Sequence, residues 1–180
     1  MTTTRGLGWR AGYLLAAFAL FMADQVTKAW AVRALRFGRD VTIIPRILDL
    51  TYAENTGIAF GQLQGGSDFT RWLLVGLACA AVVAVLIYFF RNRRTDDRVL
   101  GACALLLAGI TGNLVDRIRL GRVVDFILLH AGDYHWPTFN LADAAICTGA
   151  FLLALDLFLE GRKSTSQHHV ATKPPATDNS

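Results

Sequence analysis

Two uninterrupted charge-free runs dominate the chain, Trp72–Phe90 (19 residues) and Val99–Val115 (17 residues). A helix rises about 1.5 Å per residue, so each run is long enough to cross a hydrocarbon core of about 30 Å. A third run, Ala11–Ala23, stops after 13 residues at Asp24. A spanning helix there must carry Asp24 and Lys28 inside it. The fourth runs from Leu141 to Leu159, with Asp143 near its start and Asp156 near its end. The pattern predicts four spans. Arg5 and Arg10 before the first span resemble the start of a cleaved signal peptide. However, Phe21 and Met22 stand where a cleavage site needs small residues, so the helix is expected to be retained.

The segment 33–71 has a different period. Val41–Ile44 and Ile47–Tyr52 are rich in β-branched and aromatic residues, and Asn55-Thr-Gly57 is a turn signal leading into Ile58-Ala-Phe60. Two or three short antiparallel strands are predicted, forming a small sheet at the membrane surface. The glycines at 57, 61, 65 and 66 mark residues 52–70 as a candidate flap. From Gly161 onward the chain turns polar without apolar periodicity and reads as a disordered tail. The predicted architecture is an integral membrane, mainly α protein. One four-helix domain spans 1–160, a small antiparallel β-sheet lies in 33–71, and 161–180 forms a tail.

Four spans place both termini on one side and the segments 33–71 and 117–137 on the other. The first span then reaches that far side near Asp24 and Lys28, and the third near Asn113 and Asp116. The fourth starts there at Asn140 and Asp143, and the far-side loops add Asn55 and Asp125. These unusual polar groups therefore meet in one leaflet, whichever side is outside. A carboxylate at the bilayer centre costs about 2.5 kcal/mol or more, so several held together point to chemistry or transport. Asp24 and Lys28 are spaced i,i+4, and Asn113 and Asp116 i,i+3, so each pair shares a helix face. Gly109 and Gly112 allow close helix approach. Asp143 lies in a first turn, where the helix dipole favours a carboxylate.

Each residue also has a plainer reading. Asp24–Lys28 serves equally as an interfacial ion pair, Asp116–Arg117 as a helix end meeting headgroups, Asn55 as a turn former, and Asp156 as a solvated interface residue. Asp125 and Asp143 resist such readings, because apolar residues flank both and neither has an obvious local cation.

Composition agrees with the membrane reading: 53% of residues are hydrophobic and mean hydropathy is +0.38. The net charge of +4 comes from scattered arginines that form no nucleic-acid face. Eight Arg or Lys residues flank the spans on each side, a tie broken toward termini inside only by Arg91-Asn-Arg-Arg94 in the shortest loop. Cys79, Cys103 and Cys147 sit inside apolar spans and read as small buried hydrophobes rather than a disulfide framework. His130 and His135 stand in a loop without partners at ligand spacing, so no metal is expected. Two function classes remain at this level: an enzyme using a carboxylate pair, and a proton- or ion-transport component using intramembrane carboxylates.

Four segments in register carry a further resemblance. They are Asp24-Gln-Val-Thr-Lys28; Asn55-Thr-Gly-Ile-Ala-Phe60; Gly112-Asn-Leu-Val-Asp-Arg117 with Gly121-Arg-Val-Val-Asp-Phe126; and Phe139-Asn-Leu-Ala-Asp143. Together they resemble the bacterial lipoprotein signal peptidases (signal peptidase II), over roughly residues 11–160. The resemblance implies an aspartic endopeptidase of the bacterial inner membrane, with both termini cytoplasmic and the active site near the periplasmic face. It implies a dyad of Asp125 and Asp143, supported by Asp24, Lys28, Asn55, Gly57, Asn113, Asp116, Arg117 and Asn140. The small sheet becomes a substrate cradle on the outer membrane surface. The implied substrate is a prolipoprotein whose lipobox cysteine carries a diacylglyceryl group, cut before that cysteine. No metal or organic cofactor is implied. Membrane lipids are the remaining partners, and a single chain already holds the whole site, so a monomer is expected to function.

Overall fold

The computed structural model describes residues 7–57, 68–91, 96–132 and 134–171, with side chains to 160. Four long helices are present: α1 (Leu7–Ala34), α2 (Asp68–Arg91), α3 (Asp97–Leu120) and α4 (Leu141–Ala171). All four are long and apolar enough to cross a membrane. Four short strands accompany them, β1 (Val41–Ile44), β2 (Leu48–Asn55), β3 (Val123–Ala131) and β4 (Tyr134–His135), in the antiparallel order β1-β2-β3-β4.

The helix α3 is central: 67% of its most apolar window is buried, against 11% for α2 and 22% for α1 and α4. Its small residues explain this place. A Cβ on Gly109 would strike the Ala142 carbonyl, and one on Gly112 would lie 2.6 Å from Asp24 Oδ2. From the other side, a Cβ on Gly149 would lie 2.8 Å from the Ala102 carbonyl, so α3 and α4 approach backbone to backbone. The outward residues of the helices, among them Phe18, Leu77, Val83 and Phe151, are exposed, as lipid contact requires. Cys79 and Cys147 share that outer surface, and only Cys103 is buried, so for two of the three cysteines the expectation of burial fails. An apolar span has an outside as well as a core.

Helix ends are secured individually. Asp96 caps α3, accepting from the Arg98 N–H at 3.0 Å. At the other end Gly121 takes φ 74° and donates to the Arg117 carbonyl at 3.1 Å. Arg71 adds bonds to the Arg117 and Ile118 carbonyls at 2.8 and 2.6 Å, tying the start of α2 to the end of α3. Far from the sheet, Arg10 donates to the Phe89 and Phe90 carbonyls.

The sheet departs from the sequence reading. Its third strand comes from residues 123–131, so both loops on that side build one sheet. Segment 33–71 supplies β1 and β2, and the strand expected at Ile58–Phe60 lies outside the described residues, as does most of the candidate flap. Val124 and Phe126 of β3 pack on Ala31 of α1 and on Leu35 just past its end, which buries one face of the strand. That burial explains the choice, because a continuous apolar run is as compatible with a buried strand as with a surface segment. A second departure is the carboxyl-terminal region: α4 continues to Ala171, ten residues beyond Gly161, where order was expected to end. The stretch contains no proline before Pro174, and Arg162, Lys163 and Gln167 favour helix. The rest of the predicted tail, from residue 172, lies outside the described residues.

Candidate active site

Asp125 is the third residue of β3, 1% exposed. The strand register breaks beside it: Leu50 faces Ile127, but Ala53 rather than Thr51 or Tyr52 faces Asp125. One extra residue on β2 makes a bulge, which re-aims the strand and brings Asn55 to Asp125. The Asn55 amide donates to Asp125 Oδ2 at 3.0 Å, while its own oxygen accepts from the Gly57 N–H at 2.8 Å. Gly57 needs its hydrogen side chain. Its φ is 79°, and a Cβ would strike Leu74 of α2.

Asp143 enters from the first turn of α4. Asn140 caps that helix: its side-chain oxygen accepts from the Asp143 N–H at 2.9 Å, and Asp143 Oδ2 accepts from the Asn140 N–H at 3.2 Å. This is a reciprocal capping box built from Asn and Asp. The same Asn140 amide donates to Asp125 Oδ1 at 2.6 Å, with Asn113 Oδ1 and the Val124 carbonyl each at 3.3 Å. One fully buried asparagine therefore holds both carboxyl groups. Asn113 of α3 completes the arrangement, donating to Asp143 Oδ1 at 2.7 Å.

Beneath the pair lies a second, fully paired layer. The Lys28 ammonium has three partners, each at 2.9 Å: Asp24 Oδ2, Asp116 Oδ2 and Asn113 Oδ1. Three donors meet three acceptors, as a buried ammonium requires. Asp24 also accepts from the Ala142 N–H of α4 at 2.9 Å, and Asp116 from the Val124 N–H of β3 at 3.4 Å. The layer thus joins α1, α3, α4 and β3. Asp116 is buried against Lys28 of α1 and Val124 of β3 and does not stand at a helix end, because α3 runs four residues past it before Gly121 ends the helix. The expected Asp24–Lys28 pair within α1 is present, but both residues are buried and bonded to α3 and α4 as well, so it is more than an interfacial ion pair. Arg117 lies within electrostatic reach of Asp143, Asp116 and Asp125, and its Nε is buried without a hydrogen-bond partner among the described residues.

Burial pushes the Asp125 carboxyl up to about 6, and the nearby Asp143 charge adds to this, against the bonds from Asn55 and Asn140. The surroundings of Asp125 resist its charge, and beside it stands a second carboxyl that accepts from the Asn140 N–H at the start of α4. This environment suits acid–base work.

All ten residues singled out from sequence fall in or against this cluster. One was missed: the Gln25 amide contacts Asp24 Oδ2, the Gly112 carbonyl and Asp116 Oδ1 at 3.2–3.3 Å. Its signal was its place between Asp24 and Lys28. Asp156 is 8% exposed and so is buried rather than solvated. His130 has a carboxylate neighbour, Asp49, at 2.9 Å and stacks on His135 across the β3–β4 pair with ring centroids 5.3 Å apart. Strand pairing supplies a neighbour that spacing along the chain could not show. Among the described residues no group of three His, Cys, Asp or Glu side chains is arranged to hold a metal.

A multi-pass membrane protein with two bridged carboxyl groups at one end of its helices is the class that fold and site define. The family profile described as signal peptidase (SPase) II matches residues 16–159. The lipoprotein signal peptidase of Syntrophotalea carbinolica is 41% identical over 150 residues, covering 82% of this chain and 91% of that protein. That of Pseudomonas aeruginosa is 38% identical over 160 residues, covering 88% and 95%. A bacterial membrane enzyme solved by the in meso method at 1.9 Å superposes with a TM-score of 0.74 at 29% identity, covering 87% of this chain and 97% of that one. The chain belongs to the signal peptidase II family.

Proposed function

We propose that this membrane peptidase is an aspartic endopeptidase with Asp125 and Asp143 as its dyad. Its substrates are prolipoproteins whose lipobox cysteine already carries a diacylglyceryl group, and it cuts the bond before that cysteine. The observation that carries the reading is Asn140, which bonds Asp125 Oδ1 through its amide and caps the helix that bears Asp143. Two carboxyls so held share one proton, since both cannot ionise cheaply. Desolvation favours that proton on Asp125. Asp143 then takes a proton from a water whose oxygen attacks the scissile carbonyl, while Asp125 protonates the carbonyl oxygen. The tetrahedral intermediate collapses with proton transfer to the cysteine nitrogen, which leaves as the new amino terminus. Every step uses the two carboxyls and water.

Asn55 and Asn113 orient the carboxyls, Gly57 shapes the turn that holds Asn55, and Asp24, Lys28 and Asp116 hold the helices. Arg117 supplies positive potential beside developing negative charge. The lipid anchor of the substrate stays in the bilayer and delivers the scissile bond at a constant depth, which orients it before chemistry. This fits a bacterial inner-membrane enzyme with cytoplasmic termini and a periplasmic-side site, working as a monomer. The test is to incubate purified protein with lipidated and unlipidated prolipoprotein and detect released signal peptide by mass spectrometry. Cleavage of the lipidated form alone is expected, with none by Asp125→Asn or Asp143→Asn. Substantial cleavage by either variant sinks the dyad.

A further inference from the structure

The side of the membrane that holds the site carries eight arginines flanking the spans, and three of them have local work there. Arg71 bonds the end of α3, Arg117 faces the carboxyls, and Arg122 pairs with Glu54 at 3.2 Å. Arg33 and Arg119 differ. Among the described residues neither guanidinium has a hydrogen-bond or ion-pair partner, yet both line one cleft of about 210 Å³ between the last turns of α1 and α3. Its floor holds Lys28, whose ammonium pairs at 2.9 Å with both Asp116 and Asp24, and its walls include Ala29, Val32 and Leu120. The two arginines therefore leave the cleft with a surplus of positive charge.

The position of the cleft says what kind of anion it meets. Val26, Ala29, Trp30 and Arg33 share one face of α1 by their three- and four-residue spacing, and Val26 and Trp30 are 63% and 45% exposed. Leu120 is 47% exposed on the facing helix. Large apolar side chains so exposed on a spanning helix contact lipid, and the helix-end tryptophan marks headgroup depth. The arginines thus stand at headgroup level, and apolar walls descend from them toward the bilayer centre.

We propose that this cleft binds an anionic phospholipid of the leaflet on the side of the site. Arg33 and Arg119 hold its phosphodiester, and one acyl chain runs down past Val32 and Ala29 toward Val26. The diacylglyceryl group of the proposed substrate has no phosphate, so two free guanidinium groups match a membrane phospholipid and not that substrate.

The test is native mass spectrometry of the full chain purified in equimolar phosphatidylglycerol and phosphatidylcholine. The wild-type protein is expected to retain one phosphatidylglycerol preferentially. The double variant Arg33→Gln/Arg119→Gln is expected to lose about 30-fold of that preference, from two cations near a headgroup. Arg39→Gln/Arg46→Gln removes the same charge outside the cleft and is expected to keep the preference. Ala29→Phe fills the cleft and should abolish retention while leaving both arginines in place. Three outcomes overturn the proposal: no preference in the wild type, equal loss in both double variants, or unchanged retention in Ala29→Phe.

Discussion

Replacing Asp125 by asparagine should make the protein's stability less sensitive to pH, apart from any effect on activity. In the folded chain this carboxyl is 1% exposed and titrates at about 6, against 3.8 for the free group. Well below pH 3.8 both folded and unfolded states carry the proton, so the group is neutral in its effect. As pH rises from about 4 to about 6 the unfolded chain releases its proton while the folded chain keeps it. Folding is therefore disfavoured, by up to about 3 kcal/mol above pH 6. Asparagine has no proton to lose and removes this dependence. It also disturbs the bonds from Asn55 and Asn140, but that cost is the same at every pH. The assay is equilibrium unfolding in mixed detergent micelles at several pH values between 4 and 7.5, for wild type and Asp125→Asn. The wild type should lose about 2.4 kcal/mol relative to the variant across that window. Parallel curves would refute the claim that burial holds a proton on Asp125.

Three further outcomes follow from the packing. Lys28→Met leaves Asp24 and Asp116 buried without their cation and should cost about 3–5 kcal/mol in the same unfolding assay. Adding Asp116→Asn should recover part of this, and purely additive losses would show that the pair is uncoupled. Asn140→Ala should lower stability by about 1 kcal/mol through the lost cap, with further loss from two under-bonded carboxyls, and abolish turnover. Asn140→Ser keeps a capping oxygen but cannot reach Asp125, so it should regain stability without regaining activity; active Asn140→Ser would remove Asn140 from its bridging place. Gly112→Ala puts a Cβ at 2.6 Å from Asp24 Oδ2 and should cost about 1–3 kcal/mol, read as a lower unfolding midpoint. A neutral Gly112→Ala would contradict the tight α1–α3 contact.

Much of this molecule was legible in the chain. The four helices were, because a bilayer demands about 20 apolar residues per span and leaves few ways to arrange them. The meeting of Asp24, Lys28, Asn113 and Asp143 in one leaflet was legible too, since alternating helix directions force it. The place of Asp143 in a first helical turn was legible as well, though the cap that Asn140 makes there and its reach to Asp125 were invisible. The order of the strands was not legible. Asn55 and Asp125 lie 70 residues apart and meet only because β2 pairs with β3. Nor was the burial of Asp116, since a carboxylate beside an arginine looks the same at a solvated helix end as in a core.

The sequence by itself determined the class of protein, its spans and the end of the bundle where chemistry gathers, since apolar length and chain direction act locally and additively. Tertiary structure alone decided the division of labour among the polar residues. Asp24, Asp116, Asp125 and Asp143 are the same chemical group. What separates them is which N–H or ammonium reaches each one, and those partners come from other helices and strands. The ammonium of Lys28 binds Asp24 and Asp116 into the scaffold, while among the described residues Asp125 and Asp143 have only amide donors to share. An ammonium brings a full positive charge to the carboxylates it ties together, whereas an amide brings only a dipole.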